Sequence, residues 1–455
     1  MTKAFHSVVA LALVGGASAL SAQGVLNEGS DPVTISRAGV GVAFGRSLEA
    51  AGLNPALLVT LQEDRSAHVA FGLESQAGSV TAQNNQIRYF SSDRNRAIGA
   101  FGFAQRVNAG LSWGLKVDEP FERHLELRAG APTRFTGDAI SIGAHRLEGQ
   151  AAWTPEGHPE LSFGLGLGVT RLGFTLGNTV RAGIPVDPTQ PESVINPYLG
   201  LAEVSLREEG SAFTPSWTLG ARWALSSRWT LAATFESPLK AHIGLTARAL
   251  PATITVTDDN GYGTPPVGTE TRAYQLIGTS GVGAGSGDLN LPARATLGLR
   301  QRQSQLLTWE VDLQWMGAGL RTPGFANLQT FSGTVSAPAN LESARSSALL
   351  KGMAEFTLSK DWTLRIGAGL STGYKPSETT EPLLGGSTQS FASVGAGYKV
   401  WGGELNVGYQ YRLDRDTDRL GAEGAWDSSG YRATGTKVRI EGAGHLMAIG
   451  FRKSF

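Results

Sequence analysis

The chain has 455 residues, 60 of them glycine and none cysteine, and its 39 basic side chains balance 39 acidic ones. Charge balance excludes a general attraction to nucleic acid or anionic surfaces, and the lack of thiols excludes disulfides and Cys-based metal or redox sites. The glycines are scattered through apolar segments and so do not mark a linker.

Residues 1–22 read as a secretory signal peptide. Lys3 gives a positive start, Ser7 to Ala22 is an apolar run too short to span a membrane, and Ala17-Ser18-Ala19 begins a small-residue cleavage region. The mature chain is therefore expected to be exported. No later stretch has the ~18 apolar residues of a membrane helix. A membrane location would require a barrel.

Residues 23–64 contain one apolar, helix-permissive stretch, from Ser47 as N-cap through Ala51. Gly52 and then Asn54-Pro55 interrupt it, because proline has no amide donor and pushes the preceding residue out of the α region. Nothing like it recurs downstream. Such a segment either packs as a loop on a sheet or sits inside whatever the strands enclose.

From residue 65 to 455 the dominant signal is strict alternation. Leu161, Phe163, Leu165, Leu167 and Val169 alternate with Ser162, Gly164, Gly166 and Gly168. The same period of two recurs at Trp217–Leu225, Leu307–Trp315, Trp362–Leu370 and Leu405–Leu413. One face is Leu, Val, Trp and Phe; the other carries Arg, Glu, Asp and Gly. A soluble sandwich also alternates, but a charged face opposite an almost charge-free one suits a wet lumen and a lipid-facing exterior.

About 14 such strands are predicted, joined alternately by short and long connections. The short ones fall near Asn108, Pro155–Pro159, Ser226-Ser227, Gln305, Lys360 and Trp401-Gly402. Short periplasmic turns and long outer loops are the asymmetry of outer-membrane barrels. Trp153, Trp229, Trp362 and Trp401 lie beside short turns, either as an interfacial girdle or because Trp favours strands. Met447, Ile449, Phe451 and Phe455 share one face of a last strand that is expected to close on the first. The fold class is all-β: a transmembrane antiparallel barrel with an N-terminal hatch in its lumen.

These features resemble the FadL/TodX family of outer-membrane transporters of long-chain fatty acids and aromatic hydrocarbons. The resemblance starts at Val25-Leu26-Asn27-Glu28-Gly29-Ser30, runs through Arg37-Ala38-Gly39 and peaks at Asn54-Pro55-Ala56-Leu57, similar to the family's hatch motif. Leu289-Asn290-Leu291-Pro292 and Asp361–Gly367 extend it. Family members often carry acidic residues before this motif, where this chain has Glu49 alone. The resemblance implies a hatch that blocks the lumen, a hydrophobic small molecule bound from outside, and release sideways through the barrel wall. Phe44, Leu48, Leu53, Asn54, Pro55, Ala56, Leu57 and Leu58 are the candidate hatch and ligand-contact residues; plug-to-wall packing explains each equally well.

The expected setting is the bacterial outer membrane. The expected partners are a hydrophobic solute, outer-membrane lipids and the barrel assembly machinery, reached through the aromatic terminus Phe455. The chain is expected to act as a monomer, with no nucleic acid, cofactor or metal. A barrel enzyme such as a lipase is the rival from another class. Yet none of the mature histidines, His68, His124, His145, His158, His242 and His445, sits in a hydrolase or metalloprotease motif. Glu310 and Asp312 share one side of one strand, suited to acid–base work or to pairing with inward cations such as Arg300 and Lys351. A non-specific porin is a third reading, and a plug argues against it.

Overall fold

A wall of fourteen antiparallel strands closes on itself in the computed structural model. In chain order they are β1 Arg65–Ala82, β2 Arg94–Asn108, β3 Leu111–Glu126, β4 Ala139–Trp153, β5 Leu161–Pro185 and β6 Tyr198–Ala224. β7 runs Trp229–Glu236 and continues as Leu239–Ala249; β8 runs Val282–Leu291 and continues as Arg294–Arg302. Then come β9 Leu307–Met316, β10 Ser347–Thr357, β11 Trp362–Ser371, β12 Thr388–Val400, β13 Gly403–Arg415 and β14 Val438–Ser454. The structure describes residues 29–44, 48–61, 63–82, 87–90, 94–126, 139–185, 198–249, 253–257, 271–275, 282–318, 327–330, 333–336, 346–371, 388–415 and 438–455. The expected signal peptide, residues 1–22, and the expected N-cap Ser47 lie outside them.

β14 returns to β1 in a ladder from Ser66↔Ser454 to Ala82↔Val438, and Phe455 N donates to Arg65 O at 2.9 Å. Closure is what lipid requires, since an open edge would leave backbone groups with no water to bond. No described helix is long and apolar enough to cross a membrane.

The two faces are distributed as lipid demands. Along β5, Phe163, Leu167 and Val169 are exposed while Ser162 and Gly164 face inward. Glu148 and Asp312 are wholly buried. Large apolar side chains outside and ionised ones inside would be ruinous in water, but they are the stable arrangement in a bilayer. The short turns gather at one end, bordered by ring pairs: Trp153–Phe163 at 5.7 Å, Trp229–Trp309 edge-on at 5.6 Å and Trp362–Tyr398 at 4.6 Å. A Trp girdle follows.

Two strands are longer than the alternation suggests. β5 reaches Pro185 and β6 begins at Tyr198, because backbone pairing continues beyond the apolar stretch. Two others are interrupted where Pro238 and Pro292 fall opposite each other between the pairs Leu239↔Leu291 and Glu236↔Arg294. Neither proline can donate to the ladder.

The N-terminal segment lies inside the wall and is buried almost throughout. It forms α1 Pro32–Ser36, α2 Leu48–Leu53 and a 3-10 helix Pro55–Thr60. α1 starts at Asp31, whose Oδ1 accepts from Val33 N and Thr34 N at 2.9 Å each. α2 continues through Gly52 to Leu53, past the first expected interruption, and stops at Asn54-Pro55 as the sequence suggests. Burial against the wall outweighs the ~1 kcal/mol helix cost of one glycine.

Candidate functional site

Asn54-Pro55-Ala56 is clamped to the wall. Asn54 Oδ1 accepts from Ala56 N at 3.0 Å, and its Nδ2 donates to Val42 O at 2.8 Å and to Ala221 O of β6 at 3.3 Å. Pro55 opens the 3-10 helix, where its missing amide is not needed. Two inward glycines admit the motif. A Cβ on Gly164 of β5 would fall 2.9 Å from Ala56 Cα, and one on Gly220 of β6 would fall 3.0 Å from Pro55 Cδ. Leu57 and Leu58 are fully buried in a cluster with Ala104 and Ala152 of the wall.

The rest of the segment is tied down by charge. Gly41 N donates to Asp312 Oδ2 at 3.1 Å and Ala43 N to Glu310 Oε1 at 2.7 Å. Lys351 Nζ donates to Gly39 O at 3.1 Å, and Lys116 Nζ to Gly52 O at 2.7 Å. Arg37 pairs with Glu355 at 2.6 Å, and Glu49 with Arg452 at 2.9 Å. Burial alone would raise the Glu49 carboxyl, but Arg452, then His68, together lower it to about 2. Phe44 is held between two guanidinium groups, Arg37 at 3.9 Å and Arg300 at 4.8 Å from its ring centre.

Leu48 and Leu53 are placed differently. They line a cavity of about 80 Å³ between this segment and the wall, which runs from Phe101, Lys116 and Glu119 on β2 and β3 across to Arg294, Gln314 and Lys351 on β8 to β10. Of the eight residues singled out from sequence, these two reach the cavity; Phe44, Asn54, Pro55, Ala56, Leu57 and Leu58 are not part of its lining. The cavity is well below the ~150 Å³ of an apolar void that takes benzene. A solute of that size requires the segment or the wall to move.

The wall is open beside this cavity. Pairing between β2 and β3 ends at Phe101↔Val117. Beyond it, the β2 residues pair with β1 and the β3 residues pair with β4. The cause is one extra residue. Asp118 lies opposite Arg146 and Phe121 opposite Ala144, so Glu119 and Pro120 together face His145. Pro120 has no amide to offer β2. The bulge leans across the lumen, where Pro120 O accepts from Arg294 Nη1 of β8 at 3.4 Å.

Ion pairs hold the bend. Arg146 binds Asp118 at 2.7 Å and Glu236 at 3.0 Å, and Glu236 binds Arg294 at 2.5 Å. Glu119 bridges the parted strands, bonded to Arg96 of β2 and 3.4 Å from His145 of β4. Nothing in the spacing of Arg96, Asp118, Glu119, Arg146 and Glu236 marks them as a cluster. The available signal was Pro120 inside a stretch that pairs as a strand, which marks an edge or a bulge.

The model of the family described as outer membrane protein transport protein (OMPP1/FadL/TodX) matches residues 13–455. A solved Pseudomonas aeruginosa FadL homologue aligns with a TM-score of 0.69 at 14% identity, covering 96% of this chain and 100% of that one. The Ralstonia pickettii toluene transporter TbuX aligns at 0.60 and 14%, covering 94% and 99%. The Pseudomonas putida toluene transporter TodX aligns at 0.62 and 11%, with the same coverage. At these identities the structures speak for the fold. No curated protein matches the chain.

Proposed function

The chain belongs to the OMPP1/FadL/TodX family of outer-membrane transport proteins, and from that premise we propose how it moves a hydrophobic small molecule. The solute, a long-chain fatty acid or an aromatic hydrocarbon, enters from outside and binds beside Leu48 and Leu53. It leaves sideways between β2 and β3. The N-terminal segment, residues 23–64, acts as a hatch that closes the lumen, and residues 65–455 form the barrel. The observation that carries this reading is the seam that ends at Phe101↔Val117 next to the cavity. Exposing an alkyl chain to water costs ~0.8 kcal/mol per methylene, so a side exit into lipid is favoured over an aqueous one. The toluene transporters with the same fold support aromatic solutes as one class.

A catalytic role is disfavoured because Glu310 and Asp312 accept amide bonds from the hatch rather than facing an open cleft. An open porin is disfavoured by the buried segment that crosses the lumen. The protein is proposed to act as a monomer without cofactor, and to enter the membrane through assembly machinery that reads the last strand and Phe455.

Deleting Pro120 tests the exit. Glu119 would then stand alone opposite His145 and Phe121 would keep Ala144 as partner, so the ladder becomes regular without turning any side chain over. Uptake of a hydrophobic solute should fall at least tenfold in cells matched for folded barrel, with bilayer conductance unchanged. Undiminished uptake would rule out the side exit.

A further inference from the structure

A second recess lies at the opposite margin of the hatch, away from the open seam. It has a volume of about 220 Å³ and is lined by Arg222, Arg228, Arg300 and Arg302, with Thr60 and Thr230. No carboxylate lines it. The residues come from β6, β7, β8 and the Ser226-Ser227 turn, one of the short turns, so the recess opens at the periplasmic end. Thr60 closes the hatch's 3-10 helix, and its Oγ1 donates to Leu57 O at 2.7 Å. The hatch therefore forms part of the recess.

Counter-charge is scarce in this recess. Elsewhere in the lumen arginines meet acids at close range: Arg365 binds Glu355 and Glu404 at 2.8 and 2.9 Å, and Arg146 binds Asp118 and Glu236. Arg300 stands opposite Glu310 and against Phe44, so part of its charge is spent. The Nε of Arg222 is buried and has no hydrogen-bond partner among the described residues. Gathering guanidinium groups this way costs free energy through repulsion and an unmade bond. An oxyanion would recover both, because the planar fork of arginine matches carboxylate and phosphate in a bidentate geometry.

We propose that this recess binds an oxyanion, a carboxylate or a phosphate, presented from the periplasm. The site is separate from the solute path argued above and does not depend on it. Three sources share the chemistry: a free inorganic anion, an alkyl carboxylate, and the headgroup of an inner-leaflet phospholipid. Because Thr60 lies in the wall of the recess, occupancy would also hold the end of the hatch.

The test is calorimetric titration of the full-length protein in an uncharged detergent at fixed ionic strength. The probes are inorganic phosphate, decanoate, a short-chain phosphatidylglycerol, and uncharged decanol as the control. Saturable one-to-one binding of at least one anionic probe, absent for decanol, is expected. R222Q/R302Q should weaken it roughly tenfold or more, the scale of one charge-assisted pair. R222K/R302K, which keeps the charge and the fold but loses the fork, should fall between the two. Phosphate and decanoate binding alike would show that the headgroup alone is read; decanoate or the lipid binding without phosphate would show that a chain is needed too. Absence of saturable binding by every anionic probe, or equal binding by R222Q/R302Q, would overturn the site.

Discussion

Two seams of the same wall behave in opposite ways. β5 and β6 pair without a break from Leu161↔Trp223 to Ile184↔Gly200. β2 and β3 part company after Phe101↔Val117. Where they pair, both seams carry apolar outer faces, Trp113, Leu115 and Val117 on β3 and Phe163, Leu167 and Val169 on β5. What differs is one supernumerary residue at Glu119-Pro120, and a proline that cannot donate. The sealed seam presses Gly164 and Gly220 against the hatch motif, while the open one borders the cavity of Leu48 and Leu53. On the proposed route, the barrel keeps one side as an anvil and the other as a door.

The sharpest way to break this contrast is to damage the anvil. Gly164→Val would drive its side chain into the backbone of Ala56, an overpacking of about 1–3 kcal/mol or more. The motif should leave the wall, and steady single-channel conductance should appear while the heat-modifiable barrel band on gels is unchanged. A silent bilayer would mean that the motif is not held by this contact.

A paired substitution divides the roles of the two leucines. Leu53→Ser, at the cavity, should lower hydrophobic uptake with little leakage, whereas Leu57→Ser, fully buried against the wall, should raise conductance. Each loses burial of about 1–3 kcal/mol. Uptake and conductance measured on the same two variants give the comparison, and identical phenotypes would remove it.

The carboxyl of Glu49 supplies a pH signature. Its value in the fold, about 2, lies below its ordinary 4.5, so the Glu49–Arg452 tie is fully present above pH 4.5 and is lost as pH falls toward 2. Asp31, raised by burial and by Glu49, contributes with the opposite sign. Conductance of the wild type should therefore rise on acidification through this window more steeply than that of Glu49→Gln. Matching pH profiles would show that the tie does not hold the hatch.

The smallest effect is expected at the door. Glu119→Ala removes the side chain that joins Arg96 to His145 across the gap; Arg96 keeps Glu74 as a partner and His145 is exposed, so the loss is about 1 kcal/mol. Hydrophobic uptake should rise by at most a few-fold, read as initial rate, and the folded fraction should not change. A fall in rate would make Glu119 part of the path rather than a bar across it.

The barrel was legible in the residues because lipid imposes one rule on every outward position. Leu161 to Val169 can alternate with Ser and Gly only where one face meets hydrocarbon and the other a polar lumen, and the alternation of long and short connections follows from sidedness. The helix stop at Asn54-Pro55 was legible too, since it follows from local chemistry. The placement of its neighbours was not. Nothing in the spacing of Phe44 says that its ring will lie between Arg37 and Arg300, which are 263 residues apart in the chain.

The sequence by itself determined the strand count, the outward faces and the end at which the short turns gather, all of which depend on period two and local turn chemistry. Only the tertiary structure decided which glycines receive the motif, where the wall opens and which arginines share a recess. Gly164 and Gly220 are two among 60 glycines, distinguished by what presses on them. The opening at Pro120 depends on a register between strands that becomes definite only when β2, β3 and β4 lie side by side. Arg222, Arg228, Arg300 and Arg302 converge because β6, β7 and β8 pair side by side, which brings together charges that the chain keeps up to 80 residues apart.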